Sequence, residues 1–315
     1  MILYLHGGMG NQMFEYAAAR AYQLRFAPDK KLMLNIGRMK GMIGRIGGTP
    51  RDFEIGRLSI ANRKVLSRWR TLLCDIAFMM RRIPRNLREK RLNKRLPQQK
   101  VGIFRGNSIY GFMAMEESKR VGIFFKGYFQ NFRYFSGIED ELRREFAAAG
   151  EPSAENAAIL QDIQQSESVC VHIRRGDYLN PEWSFLNICN EQYYRDAMKM
   201  IAERVAHPVF YVFSNTAEEV EWIRENYRLG DYDIRYMTQG NCVTEDYRLM
   251  CACRHFVISN STLSWWVQFM GTAPDKIVAA PDRWNLQANE SAVNALYMDD
   301  WHLIEVKVKE NLHEQ

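Results

Sequence analysis

The residues best suited to do chemistry stand in His172-Ile173-Arg174-Arg175-Gly176-Asp177-Tyr178. Two adjacent arginines, a glycine and an aspartate make an anion site or, more plainly, an Arg–Asp salt bridge in a loop. A guanidinium offers a planar fork of donors that matches a diphosphate, and glycine lets the backbone come close. In an extended segment alternate side chains face the same way, so His172 and Arg174 share a side. A second group is Ser259-Asn260-Ser261-Thr262-Leu263-Ser264-Trp265-Trp266. It brings hydroxyls to the start of a helix, where unpaired N–H groups suit phosphate; capping alone would need one such residue. Ser214-Asn215-Thr216 reads equally as a strand-end contact and as a helix cap. Asp246 can accept two N–H bonds from a guanine edge or act as a helix-dipole partner. Gly7-Gly8-Met9-Gly10-Asn11-Gln12 looks like a phosphate loop. It has neither the G-x-G-x-x-G spacing nor the Gly-Lys-Ser/Thr ending of the common nucleotide motifs.

Each of these groups follows a short apolar run and precedes a helical pattern. In the second half, strands are expected at 168–173, 208–213, 234–237, 255–259 and 276–280. Helices are expected at 191–204, 217–226, 245–252 and 261–270. Strands alternating with helices of about ten residues are βαβ units of a parallel sheet. Such sheets bind ligands beyond the carboxyl ends of their strands, where the polar groups stand. In the first half, strands are expected at 2–5, 31–35 and 123–129, and helices from 13 to about 25 and at 138–149. Residues 37–56 are glycine-rich and loop-like. Gly150-Glu151-Pro152-Ser153 is the expected boundary between a domain 1–150 and a domain 151–315, with Ser153 able to cap the next helix.

The chain has 315 residues, 47% of them hydrophobic, and a net charge of +6. That composition excludes disordered and collagen-like classes. No apolar run approaches the ~18 residues of a membrane span. Met1-Ile2-Leu3-Tyr4-Leu5-His6-Gly7-Gly8 lacks a basic n-region and reads as no signal peptide. Six cysteines then read as reduced, cytoplasmic thiols. The charge is local. Residues 63–95 hold twelve basic residues against Asp75 and Glu89, a local net of +10, while the remainder has 31 basic and 35 acidic residues. Leu66, Trp69, Leu72, Leu73, Ile76 and Met80 recur within it at helical spacing. The segment is therefore an amphipathic helix, either packed on its domain or meeting an anionic acceptor or anionic lipid, the latter as a peripheral membrane contact. It carries no recognisable nucleic-acid module, so no nucleic-acid partner is expected.

Metal sites find no support. Cys251-x-Cys253 and His255 lack a second pair at zinc spacing, and no Asp-x-Asp is read as holding Mg²⁺ between diphosphate oxygens. Arginines and hydroxyls take the ion's place in this reading.

The glycine loop with Met13-Phe14, Gly127-Tyr128-Phe129-Gln130, the His172–Tyr178 stretch and the Ser259–Trp266 stretch together resemble the α-1,2-fucosyltransferases of glycosyltransferase family 11. The four motifs run in family order from about residue 1 to 285. Met9 stands where Leu or Phe is usual and Leu263 where Phe is usual, with no polar group lost. The resemblance implies an α/β, GT-B-like fold: two Rossmann-like domains facing across a cleft, the C-terminal one binding GDP-β-L-fucose and the N-terminal one lying on the acceptor side. It implies metal-independent, inverting transfer of fucose to the 2-hydroxyl of a terminal galactose in a glycan, with GDP-fucose as a substrate and no cofactor. Arg174 matches the diphosphate-binding arginine, with His172, Arg175 and Asp177 its motif neighbours. Ser261 and Thr262 match a phosphate-contacting pair beside Asn260, and Asp246 matches a guanine-binding acid. Asn11, with Gly8 and Gly10, matches the loop at the donor–acceptor junction. Ser214 and Asn215 join them as strand-end donor contacts on the residue reading. Arg174 stabilises the leaving diphosphate; Asp177 is either a base or the residue that orients Arg174 or the ribose, and a loose, cation-like transition state needs only weak base help, through Asn11 or a water.

Overall fold

The computed structural model describes residues 1–37, 39, 52–82, 102–106, 111–120, 122–286 and 296–307. The chain forms two units, Met1–Ala147 and Ala148–Gln315.

The N-terminal unit is built on four short parallel strands, β1 (Ile2–Tyr4), β2 (Met33–Asn35), β3 (Ile103–Arg105) and β4 (Phe124–Lys126), in the order β2-β1-β4-β3. Ile2 lies opposite both Met33 and Phe124. Strands this short hold only because both faces are covered. On one side runs α1 (Met9–Phe26), whose Ala17, Ala18, Ala19 and Ala21 are fully buried; alanine lets the helix come close to the sheet. Tyr22 packs on Phe104 and Phe125, ring centroids 4.7 and 5.2 Å away. Glu145, at the end of α3 (Glu139–Glu145), accepts from the hydroxyl of Tyr16 and from Arg20 Nε at 2.8 Å, tying α1 to α3.

The other side is met by α2 (Arg68–Arg82), the helix expected in the basic segment. Its orientation differs from what the apolar spacing suggests. Thr71 and Phe78 turn inward, Phe78 joining Tyr4, Ile103 and Phe124, with the small Cys74 and Ala77 beside it. The stripe at 69, 72, 73, 76 and 80 faces outward, with Trp69 78%, Leu73 63% and Met80 66% exposed. Thr71, Cys74 and Phe78 sit at i, i+3 and i+7, a second helical stripe that the larger side chains mask in the sequence. Leu66 is buried ahead of the helix, its N–H bonded to Leu34 O at 2.9 Å. The basic residues from 83 to 95 lie outside the described residues.

The C-terminal unit is a six-stranded parallel sheet: β5 (Ser168–His172), β6 (Val209–Phe213), β7 (Asp233–Tyr236), β8 (His255–Val257), β9 (Val278–Pro281) and β10 (His302–Ile304), ordered β10-β9-β8-β5-β6-β7. Five of these strands fall where expected; β10, which pairs with β9, has no clear signal in the sequence, and neither has β3. Helices α4 (Ala154–Gln165), α5 (Glu191–Ala202), α6 (Ala217–Asn226), α7 (Val243–Cys251) and α8 (Thr262–Met270) alternate with the strands. Ser153, Asn190, Thr216 and Ser261 cap α4, α5, α6 and α8 by accepting a first-turn N–H. Val169, Val171, Phe210, Val212 and Val257 form the sheet's part of the core, with Tyr193, Met198 and Ile201 of α5 against them.

The strand order runs outward in both directions from β5 and β8, the doubly wound Rossmann arrangement, and its reversal point lies between those two strands. Both units are parallel α/β layers, the fold class expected.

Candidate functional site

The reversal point leaves a crevice beyond the carboxyl ends of β5 and β8, and two of the sequence motifs meet there. His172, the last residue of β5, is buried, and its Nδ1 lies 2.5 Å from Ser264 Oγ of α8. Ser264 Oγ in turn lies 3.0 Å from Ser259 Oγ. Burial, aided by the charge of Arg174, pushes the His172 imidazole down to about 3. It is neutral at physiological pH and locks β5 to α8.

Arg174 follows, 19% exposed, and is held on three sides. Its Nη1 donates to Asn215 Oδ1 at 3.0 Å, its Nη2 to Asp177 Oδ1 at 2.5 Å, and its guanidinium carbon lies 5.3 Å from the Tyr178 ring centre. These two bonds engage two of the five N–H donors in the fork and fix its plane. Asp177 Oδ1 accepts from Arg174 in this arrangement. Tyr178 closes the loop onto the second motif, its hydroxyl donating to Asn260 O at 3.1 Å.

Glu219, one turn into α6, is the residue that motif reading misses. Its carboxylate accepts the N–H of Gly176 at 2.8 Å and of Asn215 at 3.3 Å, and Ser214 Oγ lies 3.0 Å away. Thr216-Ala217-Glu218-Glu219 spells a capping box, and that was the available signal. Here the glutamate reaches past the cap to the loops at the ends of β5 and β6. Gly176 has φ +44, and a Cβ on it would lie 1.8 Å from Asn215 Nδ2. Only glycine lets Asn215 stand where it can hold Arg174.

Other expected contacts stand elsewhere. Arg175 turns away and stacks on Trp222 of α6, its Cζ 3.4 Å from the ring centre, so the second arginine belongs to packing. The amide of Asn260 is taken up by the unit's own loops: Nδ2 donates to Leu186 O and Trp284 O, both at 2.8 Å, and Oδ1 accepts from Cys189 Sγ at 3.5 Å. Ser214 is buried against Ile173 O at 2.8 Å. The Ser261 hydroxyl is the α8 cap, accepting from Leu263 N at 3.3 Å. Thr262 opens α8, whose first turn has no acidic residue to offset its positive end. Asp246, in the first turn of α7, accepts from Asn241 Nδ2 at 3.1 Å, and burial lifts its carboxyl to about 6. It lies on the same strand-end rim but pairs with Asn241, not with the Arg174 cluster. The sequence does contain one Asp-x-Asp, Asp231-Tyr232-Asp233. Asp233 opens β7 at the opposite end of the sheet and pairs with Arg235 at 3.0 Å. Among the described residues no group of three His, Cys, Asp or Glu side chains is placed to hold a metal ion.

The N-terminal unit has its own reversal point, between β1 and β4. Helix α1 begins at Met9, earlier than expected, because Gln12 N–H closes the first turn onto Gly8 O at 3.1 Å. Gly10, Asn11 and Gln12 are thus helical. Gly8 is the cap, without a capping side chain, and a Cβ there would meet nothing within 4 Å. Gly7 has φ +66 and passes Asn11 so closely that a Cβ would sit 2.6 Å from its Nδ2. Asn11 Oδ1 accepts from Gln130 Nε2 at 2.7 Å, joining the glycine loop to the end of β4. Gln12 is fully buried and bolts the loop to the segment at 52–55 through Gly7 O, Asp52 O and the N–H groups of Glu54 and Ile55, at 2.8–3.3 Å. Just before the loop stands His6. Its N–H donates to Glu15 Oε2 at 2.9 Å, and its Nδ1 lies 3.1 Å from Glu15 Oε1. Glu15 is fully buried, and burial raises its carboxyl to about 7 despite the His6 bonds.

A doubly wound unit with an oriented guanidinium at its reversal point has the layout of an enzyme that handles a phosphorylated, nucleotide-linked group. The sequence profile of glycosyl transferase family 11 matches residues 2–305, and the chain belongs to that family; it is a glycosyltransferase. It is 28% identical over 286 residues, 89% of this chain and 90% of the relative, to an Escherichia coli protein named α-1,2-colitosyltransferase. It is 26% identical over 320 residues, 94% of this chain and 98% of the relative, to the E. coli O-antigen biosynthesis glycosyltransferase WbnK. A third match, 28% over 149 residues, covers 44% of this chain and 40% of galactoside α-(1,2)-fucosyltransferase 1 from Saimiri sciureus.

Proposed function

We propose that the protein transfers L-fucose, with inversion, from GDP-β-L-fucose to the 2-hydroxyl of a terminal galactose in a glycan, without a metal ion. The observation that carries this reading is Arg174, fixed by Asp177 and Asn215 at the reversal point beside the start of α8. Breaking the bond between the sugar and the diphosphate puts negative charge on the leaving group. An oriented guanidinium and a helix N-terminus free of acid stabilise that charge without reorganising. Asp246, a half-buried acceptor on the same rim, supplies the guanine contact. The N-terminal unit takes the acceptor.

A 3-deoxy sugar donor is the second reading, favoured by the relative named for colitose. Colitose is L-fucose without its 3-hydroxyl. A pocket that hydrogen-bonds that hydroxyl rejects the deoxy donor by ~10⁴-fold or more, whereas a pocket with an apolar wall there does not.

Incubation with GDP-fucose or GDP-colitose and a panel of galactose-ended acceptors, with the product linkage read by NMR, tests the assignment. The expected product is α-1,2-fucosyl galactose, with inhibition by GDP and not by UDP, and activity that survives EDTA. Product from GDP-colitose alone establishes the second reading. An absolute need for Mg²⁺ or Mn²⁺ overturns the metal-free part.

The acceptor in this reading is lipid-linked, which gives the outward stripe of α2 a role. Trp69, Leu72, Leu73, Ile76, Met79 and Met80 are exposed on a helix that also exposes Arg68 and Arg70. An apolar face with basic flanks lies in the interface of an anionic membrane. No helix among the described residues is long and apolar enough to cross one. The enzyme then works at the inner face of the cytoplasmic membrane, where its six free cysteines stay reduced. Co-sedimentation with vesicles containing anionic lipid at low salt tests this. Binding should fall when Leu73 and Met80 become Ser or when salt is raised; no binding by the wild type overturns it.

A further inference from the structure

The mechanism so far leaves one proton without a destination. When a hydroxyl becomes a glycoside, its oxygen bonds to the anomeric carbon and the bond from that carbon to the phosphate oxygen breaks. The electron pair leaves with the diphosphate, and the hydroxyl proton must go to a base. Asp177 is bound to Arg174, and the amide of Asn11 is not basic.

We propose that His6 takes that proton and that Glu15 is its positioning residue. This rests on the reading of a sugar hydroxyl as acceptor.

The geometry is that of an oriented imidazole. Both oxygens of Glu15 are spent on the same residue, one on the His6 backbone N–H at 2.9 Å and one on Nδ1 at 3.1 Å. With Nδ1 donating to the carboxylate, the Nε2 lone pair is the one left to accept a proton. A buried carboxylate is costly unless a partner compensates it. A ring that becomes cationic during turnover is such a partner, and the carboxylate stabilises the imidazolium as in a catalytic triad. For a purely structural tie a glutamine would serve as well.

The surroundings suit a sugar. His6 is 22% exposed past the carboxyl end of β1, two residues before Gly8, where a Cβ would meet nothing within 4 Å. The Tyr128 ring, 39% exposed, stands edge-on to it with centroids 6.4 Å apart. An exposed aromatic face is a platform for the C–H face of a pyranose. The backbone that presents Tyr128 is unusual. Gly127 has φ +135 and Phe129 has φ +49, and a Cβ on Gly127 would lie 2.6 Å from Gly106 N. Left-handed backbone at a non-glycine residue concentrates at functional sites. Tyr128, from the β4 end, is an ionisable group beside the pair. The charge of Glu15, after burial, raises the Tyr128 hydroxyl, which keeps that group neutral.

The test uses the full chain with GDP-fucose and lactose as donor and acceptor, with kcat measured from pH 5 to 9. In His6→Gln, which can still hydrogen-bond Glu15, kcat should fall ~10²-fold or more while KM for GDP-fucose stays within about twofold. In His6→Ala, added imidazole should restore part of the rate. In Glu15→Gln the acidic limb of the kcat profile should move to lower pH, because the buried carboxyl that takes up a proton at about 7 beside the ring is gone. A His6→Gln enzyme within threefold of wild type overturns the assignment, as does a Glu15→Gln profile with its acidic limb unmoved. GDP binding by calorimetry establishes that each variant is folded. Wild-type protein that transfers no fucose overturns the donor–acceptor reading instead, before any variant is compared.

Discussion

At the end of β5, an amide and a carboxylate converge on one guanidinium; at the end of β1, a buried carboxylate converges on one imidazole. Both constellations sit at the reversal point of a parallel sheet and follow a strand directly. They differ in what they keep fixed. Arg174 carries a charge that no physiological pH removes, so its neighbours have only to set its orientation. Burial holds the Glu15 carboxyl up to about 7 beside the His6 ring, so the arrangement of the pair determines where a proton rests. The first suits a leaving group that is anionic throughout the reaction. The second suits a hydroxyl that must lose a proton once per turnover. In the proposed reaction the same fold position serves two kinds of chemistry, chosen by side chains alone.

The sharpest way to break the contrast is to remove the fixed charge. Arg174→Ala should lower kcat ~10²–10³-fold with the thermal midpoint nearly unchanged, since a part-exposed guanidinium contributes little to stability. A rate within tenfold of wild type sinks the diphosphate role. Gly176→Ala should come next. The added methyl displaces Asn215 and strains a left-handed residue, costing about 1–2 kcal/mol of stability. A guanidinium misplaced by an ångström loses ~10–10²-fold in rate. Parallel melting and activity curves separate the two effects, and unchanged kcat would mean that Asn215 does not orient Arg174. The smallest effect belongs to Asp246. With its carboxyl raised to about 6, in the proposed donor site it accepts guanine N–H bonds when ionised and loses that ability when protonated. KM for the donor should therefore rise about tenfold as pH falls from 7 to 5, with kcat little changed. Asp246→Asn, which cannot ionise, should show a flat profile. An equally steep profile in that variant removes Asp246 from the donor site.

Much of the C-terminal unit was legible because a parallel sheet buried on both faces writes each strand as a continuous apolar run with polar residues at its end. Ser168–His172 and Val209–Phe213 read this way; His302–Ile304, an edge strand with two exposed residues, does not. Residue type showed that the site is cationic but not which cation faces it. Arg174 and Arg175 are neighbours in sequence, and only the Trp222 side chain, 47 positions on from Arg175, shows that the second arginine is packed. Glu219 and Glu15 stayed hidden for a similar reason. Each lies inside a helix, where an acid normally reads as solvated surface, and what it does depends on a strand end reached only in three dimensions. The outward turn of α2 was concealed by size: Trp69, Leu73 and Met80 outweigh Thr71, Cys74 and Ala77 in any hydrophobic count, yet the small residues are the ones that fit against the sheet.

That turn makes the protein its own optical probe. Of the seven tryptophans, Trp69 is the most exposed, Trp183 and Trp222 are part-exposed, and Trp265, Trp266, Trp284 and Trp301 are buried. Red-edge emission and its quenching by acrylamide therefore report mainly on one indole, on the helix face that no other described element covers. Whatever settles on that face will shift the emission to the blue and shield it from the quencher, so the occupant can be followed by light without a label.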